Sequence, residues 1–121
     1  MPKRILVIDD DPDILEILHI IFTQEGYDVI LSETGQAVEN IQEINPDLVL
    51  LDIRISGSDK NGAAICAKIK SHPETQHLPV IMFSSEDNIK EISDECGANG
   101  YVSKPFETPR LITKVKEILA A

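Results

Sequence analysis

Pro46-Asp47-Leu48-Val49-Leu50-Leu51-Asp52 drives four consecutive aliphatic residues into a carboxylate. A run this short, opened by a proline turn, has the length of a strand and the composition of one buried on both faces. Asp52 then stands at the C-terminal end of that strand. In open parallel sheets the ligand crevice lies outside the carboxyl ends of the strands, where strand order reverses, so chemistry is expected at this position. A carboxylate ending a buried strand also has to be paired or metal-bound to escape a large desolvation cost.

Outward from that stretch, strand and helix signals alternate. Upstream, Lys3 to Ile8 is a continuous apolar strand that ends in Asp9-Asp10-Asp11 and Pro12. Asp11 is placed to cap a helix beginning at Pro12, where a proline loses no needed N–H. Ile14, Leu15, Leu18, Ile21 and Phe22 give that helix one apolar face, and Gly26 is suited to close it as a left-handed cap. Tyr27 to Leu31 predicts a second strand. Ala37, Val38, Ile41 and Ile44 predict a second helix, stopped at Asn45-Pro46 because the residue before proline avoids helical angles.

Downstream, Ser56 to Gly62 is a polar loop, and Ala63 to Lys70 a third helix with Ile65, Cys66 and Ile69 inward. Leu78 to Phe83 predicts a fourth strand running into Ser84-Ser85. A polar helix from about Asp87 to Glu95 carries only Ile89 and Ile92 as strong apolar residues, which is thin anchoring, and Gly97 closes it. Tyr101-Val102 forms a short fifth strand ending in Ser103-Lys104-Pro105. Leu111, Ile112, Val115, Ile118 and Leu119 then line the last helix. Five alternations predict an α/β fold, a doubly wound five-stranded parallel sheet with helices on both faces and right-handed crossovers.

At 121 residues the chain is expected to form a single domain over residues 1–121, with one core and no second domain attached. Its 42% apolar and 26% charged residues suit a soluble globular protein, and no apolar run is long enough to span a bilayer or serve as a signal-peptide core. A cytoplasmic location is expected. The formal charge of −10, from 21 acidic and 11 basic side chains, argues against nucleic acid and against anionic membrane surfaces. Cys66 and Cys96 lie in helical patterns without zinc-ligand spacing and are expected as reduced packing residues; His19, His72 and His77 are isolated.

Parallel strands would gather Asp9, Asp10, Asp52, Ser84 and Lys104 on one edge of the sheet. Crowded carboxylates repel, and a hard divalent cation holds them ionised. Mg2+ suits this set better than zinc because every candidate ligand is oxygen. Lys104 adds a point charge for a phosphoryl oxygen and Ser84 a hydroxyl donor. A carboxylate nucleophile with cations around it is phosphoryl-transfer equipment. Taken singly, the acidic run can be a solvated turn with a helix cap, and Ser84 and Lys104-Pro105 can be ordinary turn residues. Their joint placement at the ends of different strands carries the specificity.

These segments resemble the response-regulator receiver domain over essentially the whole chain: Val7-Ile8-Asp9-Asp10-Asp11-Pro12, Leu50-Leu51-Asp52-Ile53, Ile81-Met82-Phe83-Ser84-Ser85 and Gly97-Ala98-Asn99-Gly100-Tyr101-Val102-Ser103-Lys104-Pro105-Phe106. The resemblance implies the flavodoxin-like strand order 2-1-3-4-5. It implies that Asp52 accepts a phosphoryl group from a histidine kinase or phosphotransfer protein, as a switch with self-catalysed phosphorylation and dephosphorylation rather than an enzyme. Asp10, Asp52 and the Arg54 carbonyl would bind Mg2+ directly, and Asp9 through water. Lys104 would pair with the phosphoryl group, Ser84 would move to bond it, and Tyr101 would be a rotating aromatic. The Lys104-Pro105 bond would be cis. A downstream partner would dock through the last two helices and fifth strand, a face through which receivers also homodimerise.

The chain departs from that family in the loop after the phosphoacceptor, where Ser56 stands in place of a proline and the polar segment to Gly62 is longer. Arg54 and Glu86, two residues beyond Asp52 and Ser84, are expected to pair across the site mouth and slow dephosphorylation. Three other readings compete. A phosphatase of the haloacid-dehalogenase type wants an aspartate where Arg54 stands. A flavin module would place its phosphate against Asp9-Asp10-Asp11, which repel it. A degenerate receiver serving as a scaffold would have lost some of the five key side chains, and all are present.

Overall fold

The computed structural model describes residues 2–53, 61–85 and 87–120. Each long apolar run becomes a strand: β1 Arg4–Ile8, β2 Asp28–Ser32, β3 Leu48–Asp52, β4 Val80–Ser84 and β5 Gly100–Ser103. All pair in parallel in the order β2-β1-β3-β4-β5. The central strand β3 is buried along its whole length, as its unbroken aliphatic composition requires. Its last residue, Asp52, is in register with Phe83 of β4.

The helices are α1 Pro12–Gln24, α2 Ile41–Ile44, α3 Gly62–Ser71, α4 Ile89–Cys96 and α5 Thr108–Ala120. Side-chain alternation along the strands builds two apolar clusters, one on each face of the sheet, where a single core was expected. On one face Leu6, Ile8, Val49, Leu51, Val80 and Met82 pack with Ile41 of α2, Ile65, Cys66 and Ile69 of α3, and Ile89 and Cys96 of α4. On the other, Ile5, Val7, Leu48, Leu50, Ile81 and Phe83 meet Leu15, Leu18 and Phe22 of α1 and Leu111 and Val115 of α5. Helices thus cover both sides, and the strand order reverses between β1 and β3, which fixes the crevice at their carboxyl ends.

Caps fall where the residue types direct them. Asp11 is extended and its side chain accepts from the Asp13 N–H, with Pro12 in the first turn of α1. Gly26 and Gly97 hold φ of 89° and 83°, the left-handed region glycine enters without strain. The predicted second helix is corrected: Gly35–Asn40 is a 3-10 helix, and only Ile41–Ile44 is α-helical before Asn45 turns left-handed. Val38, Ile41 and Ile44 recur every third residue, which is the 3-10 period, so the apolar stripe stays aligned although the segment starts as a 3-10 helix and is α-helical for only four residues. The loop from Ser56 lies outside the described residues except at Asn61 and Gly62, whose position is described below.

Candidate functional site

The loops and strand ends at the carboxyl edge deliver the site. Asp9 follows β1 directly and its N–H donates to the Ser32 carbonyl at 3.1 Å, which ties it to the end of β2. Its carboxylate is 1% exposed, and Oδ1 accepts the Asp11 N–H at 2.9 Å. One carboxylate thus stiffens the turn that launches α1, while Asp11, two residues on, caps the helix. Asp10 is partly exposed beside it, and Asp52 is buried at the end of β3.

Asp9, Asp10 and Asp52 each present an oxygen, and these oxygens all lie within 4.8 Å of one another. Into this group reaches Lys104 from the end of β5: its Nζ donates to Asp9 Oδ2 at 2.9 Å and stands 3.6 Å from Asp52 Oδ2. The same ammonium sits 4.8 Å from the centroid of the Phe83 ring, which packs at 5.2 Å on Phe106. The aromatic floor gives Lys104 an attractive quadrupole and restricts its approach to the acidic group. Next along the backbone, the Lys104–Pro105 peptide is cis, and the Lys104 N–H donates to the Ser84 carbonyl at 2.8 Å. Ser84 is itself buried at the end of β4.

Five of the residues singled out in the sequence therefore converge: Asp9, Asp10, Asp52, Ser84 and Lys104. Tyr101 is 37% exposed on β5, where it lines a groove of about 330 Å³ with Val102, Pro105, Phe106, Arg110 and Lys114. Arg54 and Glu86 lie outside the described residues. Gly62 escaped the sequence reading. Its N–H donates to the Ile53 carbonyl at 2.6 Å, and a Cβ there would fall 2.0 Å from the Asp52 carbonyl oxygen. The first turn of α3 thus rests directly on the backbone that carries Asp52. A glycine after an asparagine reads locally as a turn, and nothing in its neighbours signals this long-range approach.

Three carboxylates at this spacing, with no thiolate or imidazole among them, fit a hard divalent cation of the Mg2+ class. The sequence profile of the response regulator receiver domain matches residues 5–116. The chain belongs to the response regulator receiver domain family. Solved structures agree. A protein of Chloroflexus aurantiacus J-10-fl described as a response regulator is 33% identical over 100% of both chains, with a TM-score of 0.93. The receiver domain of NtrX from Brucella abortus is 36% identical over 97% of this chain and 98% of its own, with a TM-score of 0.84. A BeF3-activated DrrB receiver domain is 31% identical over 100% of both chains, with a TM-score of 0.86.

Receiver domains are the phosphoacceptor switches of two-component signalling, and they bind Mg2+ at an acidic pocket. In this receiver the group at that place is Asp9, Asp10 and Asp52. Among the described residues no helix is long and apolar enough to cross a membrane.

Proposed function

We propose that Asp52 accepts a phosphoryl group from the phosphohistidine of a histidine kinase or phosphotransfer protein, in a Mg2+-dependent reaction that switches the output face of the domain. The observation that carries this reading is the placement of the Lys104 ammonium 2.9 Å from Asp9 and 3.6 Å from Asp52 inside a three-carboxylate cluster. A carboxylate oxygen of Asp52 attacks phosphorus, the P–N bond to the donor imidazole breaks, and the imidazole nitrogen takes its proton from solvent. Asp10 and Asp52, with the Arg54 carbonyl, would hold Mg2+ directly and Asp9 mainly through water, and the bound metal would supply positive charge against the negative charge building on the phosphoryl oxygens.

Lys104 pairs with a phosphoryl oxygen, a shift of partner rather than of place, since it already borders Asp52. Ser84, one residue beyond the register partner of Asp52, supplies a hydroxyl to a second oxygen. Tyr101, now exposed, is the side chain that turns inward as Ser84 shifts. The altered surface of α4, β5 and α5 meets a downstream protein or a second copy of the domain. Arg54 and Glu86 modulate the mouth of the site. The DrrB receiver domain activated by BeF3, a tetrahedral mimic of a carboxylate-bound phosphoryl group, supports the same use of this fold.

Incubation with acetyl phosphate and Mg2+, followed by intact mass, tests the proposal. One phosphoryl group is expected on the wild type, none on Asp52→Asn, and none on the wild type with excess chelator. An unmodified wild type, or a gain that persists in Asp52→Asn, overturns it.

A further inference from the structure

Away from the carboxyl edge, α3 and α4 bring two thiols together in the core. Cys66 is fully buried on α3 and its Sγ donates to the Cys96 carbonyl at 3.5 Å; Cys96, the last residue of α4, is 8% exposed, and both are free. The Cys66 thiol is held protonated first by burial and second by the adjoining Cys96 thiol. Next to them, on the inner face of α4, Ser93 Oγ is buried and has no hydrogen-bond partner among the described residues. An unsatisfied buried hydroxyl weakens the packing of the helix that carries it. α4 is therefore the element whose partial opening uncovers Cys96, and it is held by few large apolar side chains: Ile89 is buried and Ile92 half-buried.

We propose that Cys66 and Cys96 form an intramolecular disulfide when the domain meets a hydroperoxide, and that this bond fastens α4 to α3. Cys96, the more accessible thiol, loses its proton and its sulfur attacks one peroxide oxygen. The O–O bond breaks, and the departing hydroxide takes up a proton as water, which leaves a sulfenic acid on Cys96. The Cys66 sulfur then attacks the Cys96 sulfur; the S–S bond forms, the S–O bond breaks, and the second hydroxide leaves with the Cys66 proton as water. Two thiols are oxidised and one hydrogen peroxide is reduced to two waters. The bond spans the whole of β4 and α4 in sequence, so it restricts the opening of α4 most directly. This inference does not depend on Asp52 being phosphorylated.

The test uses the reduced full chain, freed of reductant, treated with hydrogen peroxide, then alkylated in denaturant. The expected result is a monomer lighter by two hydrogens with no alkylated thiol, and a tryptic species joining residues 61–68 to 91–110. Amide exchange across α4 should slow about tenfold on oxidation and recover with reductant. Cys96→Ser, with one thiol, should show neither change. Disulfide-linked dimers, over-oxidised but unlinked thiols, or an intramolecular bond that leaves α4 exchange unaltered would each overturn the proposal.

Discussion

Gly62→Ala is the sharpest probe of how the fold positions Asp52. The added Cβ would lie 2.0 Å from the Asp52 carbonyl oxygen, 2.7 Å from Ile53 Cα and 2.8 Å from the Asp52 carbonyl carbon. All three are backbone atoms at the end of a fully buried strand, so no side chain can rotate away. Relief requires the first turn of α3 to withdraw from β3, which also stretches the 2.6 Å bond from the Gly62 N–H to the Ile53 carbonyl. Overpacking of this kind costs about 1–3 kcal/mol, and a weakened amide bond adds about 1 kcal/mol. Alanine recovers about 1 kcal/mol of helix propensity over glycine. The net expectation is a loss of about 1–3 kcal/mol, read as a lower urea midpoint at unchanged slope. Acetyl phosphate labelling at equal folded fraction should also slow, because Asp52 shifts relative to Lys104. Gly26→Ala is the control: it has open space around it but φ of 89°, so its cost of about 1–2 kcal/mol is purely conformational and leaves labelling intact. A Gly62→Ala protein as stable as wild type would refute the close approach of α3 to the Asp52 backbone.

Ser93→Ala should stabilise the domain by about 1 kcal/mol, since it removes a buried hydroxyl that has no partner among the described residues and adds helix propensity; a lower urea midpoint would contradict this. Lys104→Met leaves Asp9 buried without its cation, and because Lys104 is 21% exposed the expected loss is about 2 kcal/mol, below that of a fully buried pair, with labelling by acetyl phosphate strongly reduced. Burial raises the Cys66 thiol above its ordinary value of 9.0, so above that pH the unfolded chain releases a proton that the native state retains, and stability falls as pH rises. In Cys66→Ala the slope of stability against pH between about 9 and 10 should become less negative, by at most about 1.4 kcal/mol per pH unit. Arg54→Ala should shorten the lifetime of phosphorylated Asp52, measured as mass loss after acetyl phosphate is removed, and an unchanged lifetime would dismiss the proposed pairing with Glu86.

The parts legible in the sequence were those set by local pattern. Leu48 to Leu51 could be read as a doubly buried strand because neither face tolerates a polar residue, and Asp11-Pro12 as a helix start because both residue types act within one turn. The five polar residues at strand ends followed once the strands were taken as parallel. What stayed hidden depends on contacts distant in sequence. The Lys70 ammonium donates to the Leu78 carbonyl at 2.6 Å and to Asn99 Oδ1 at 2.7 Å, and that Oδ1 also accepts the Val80 N–H at 3.0 Å. This joint binds α3, β4 and the turn into β5 at the edge opposite the site, yet in the sequence Lys70 marks only the end of the third helix. The segment from Gly35 to Ile44 misled for a related reason, because apolar spacing of three and of three-to-four overlap in so short a stretch.

On the proposed mechanism, the distance a signal must travel is short, and the strand pairing says why. The Lys104 N–H holds the Ser84 carbonyl at 2.8 Å, Ser84 is in register with Ser103, and Met82 with Tyr101. Lys104 and Ser84 are thus fastened by backbone bonds, so a movement of Ser84 toward a new group on Asp52 is passed to the end of the β4–β5 pair. Tyr101 lies one side-chain repeat before Ser103 on β5, so a small shift there changes the space into which its exposed ring can turn. The equilibrium moves only by the difference in interaction that the new group makes with the two arrangements. Because β4 is buried along its whole length while β5 has no buried residue, the adjustment falls on β5 and on α4, which packs beside it. Replacing Tyr101 with Ala should therefore leave acetyl phosphate labelling of Asp52 near the wild-type rate while altering amide exchange in β5 and α4 on phosphorylation. Loss of labelling instead would place Tyr101 in the phosphoryl site itself and break this account of the switch.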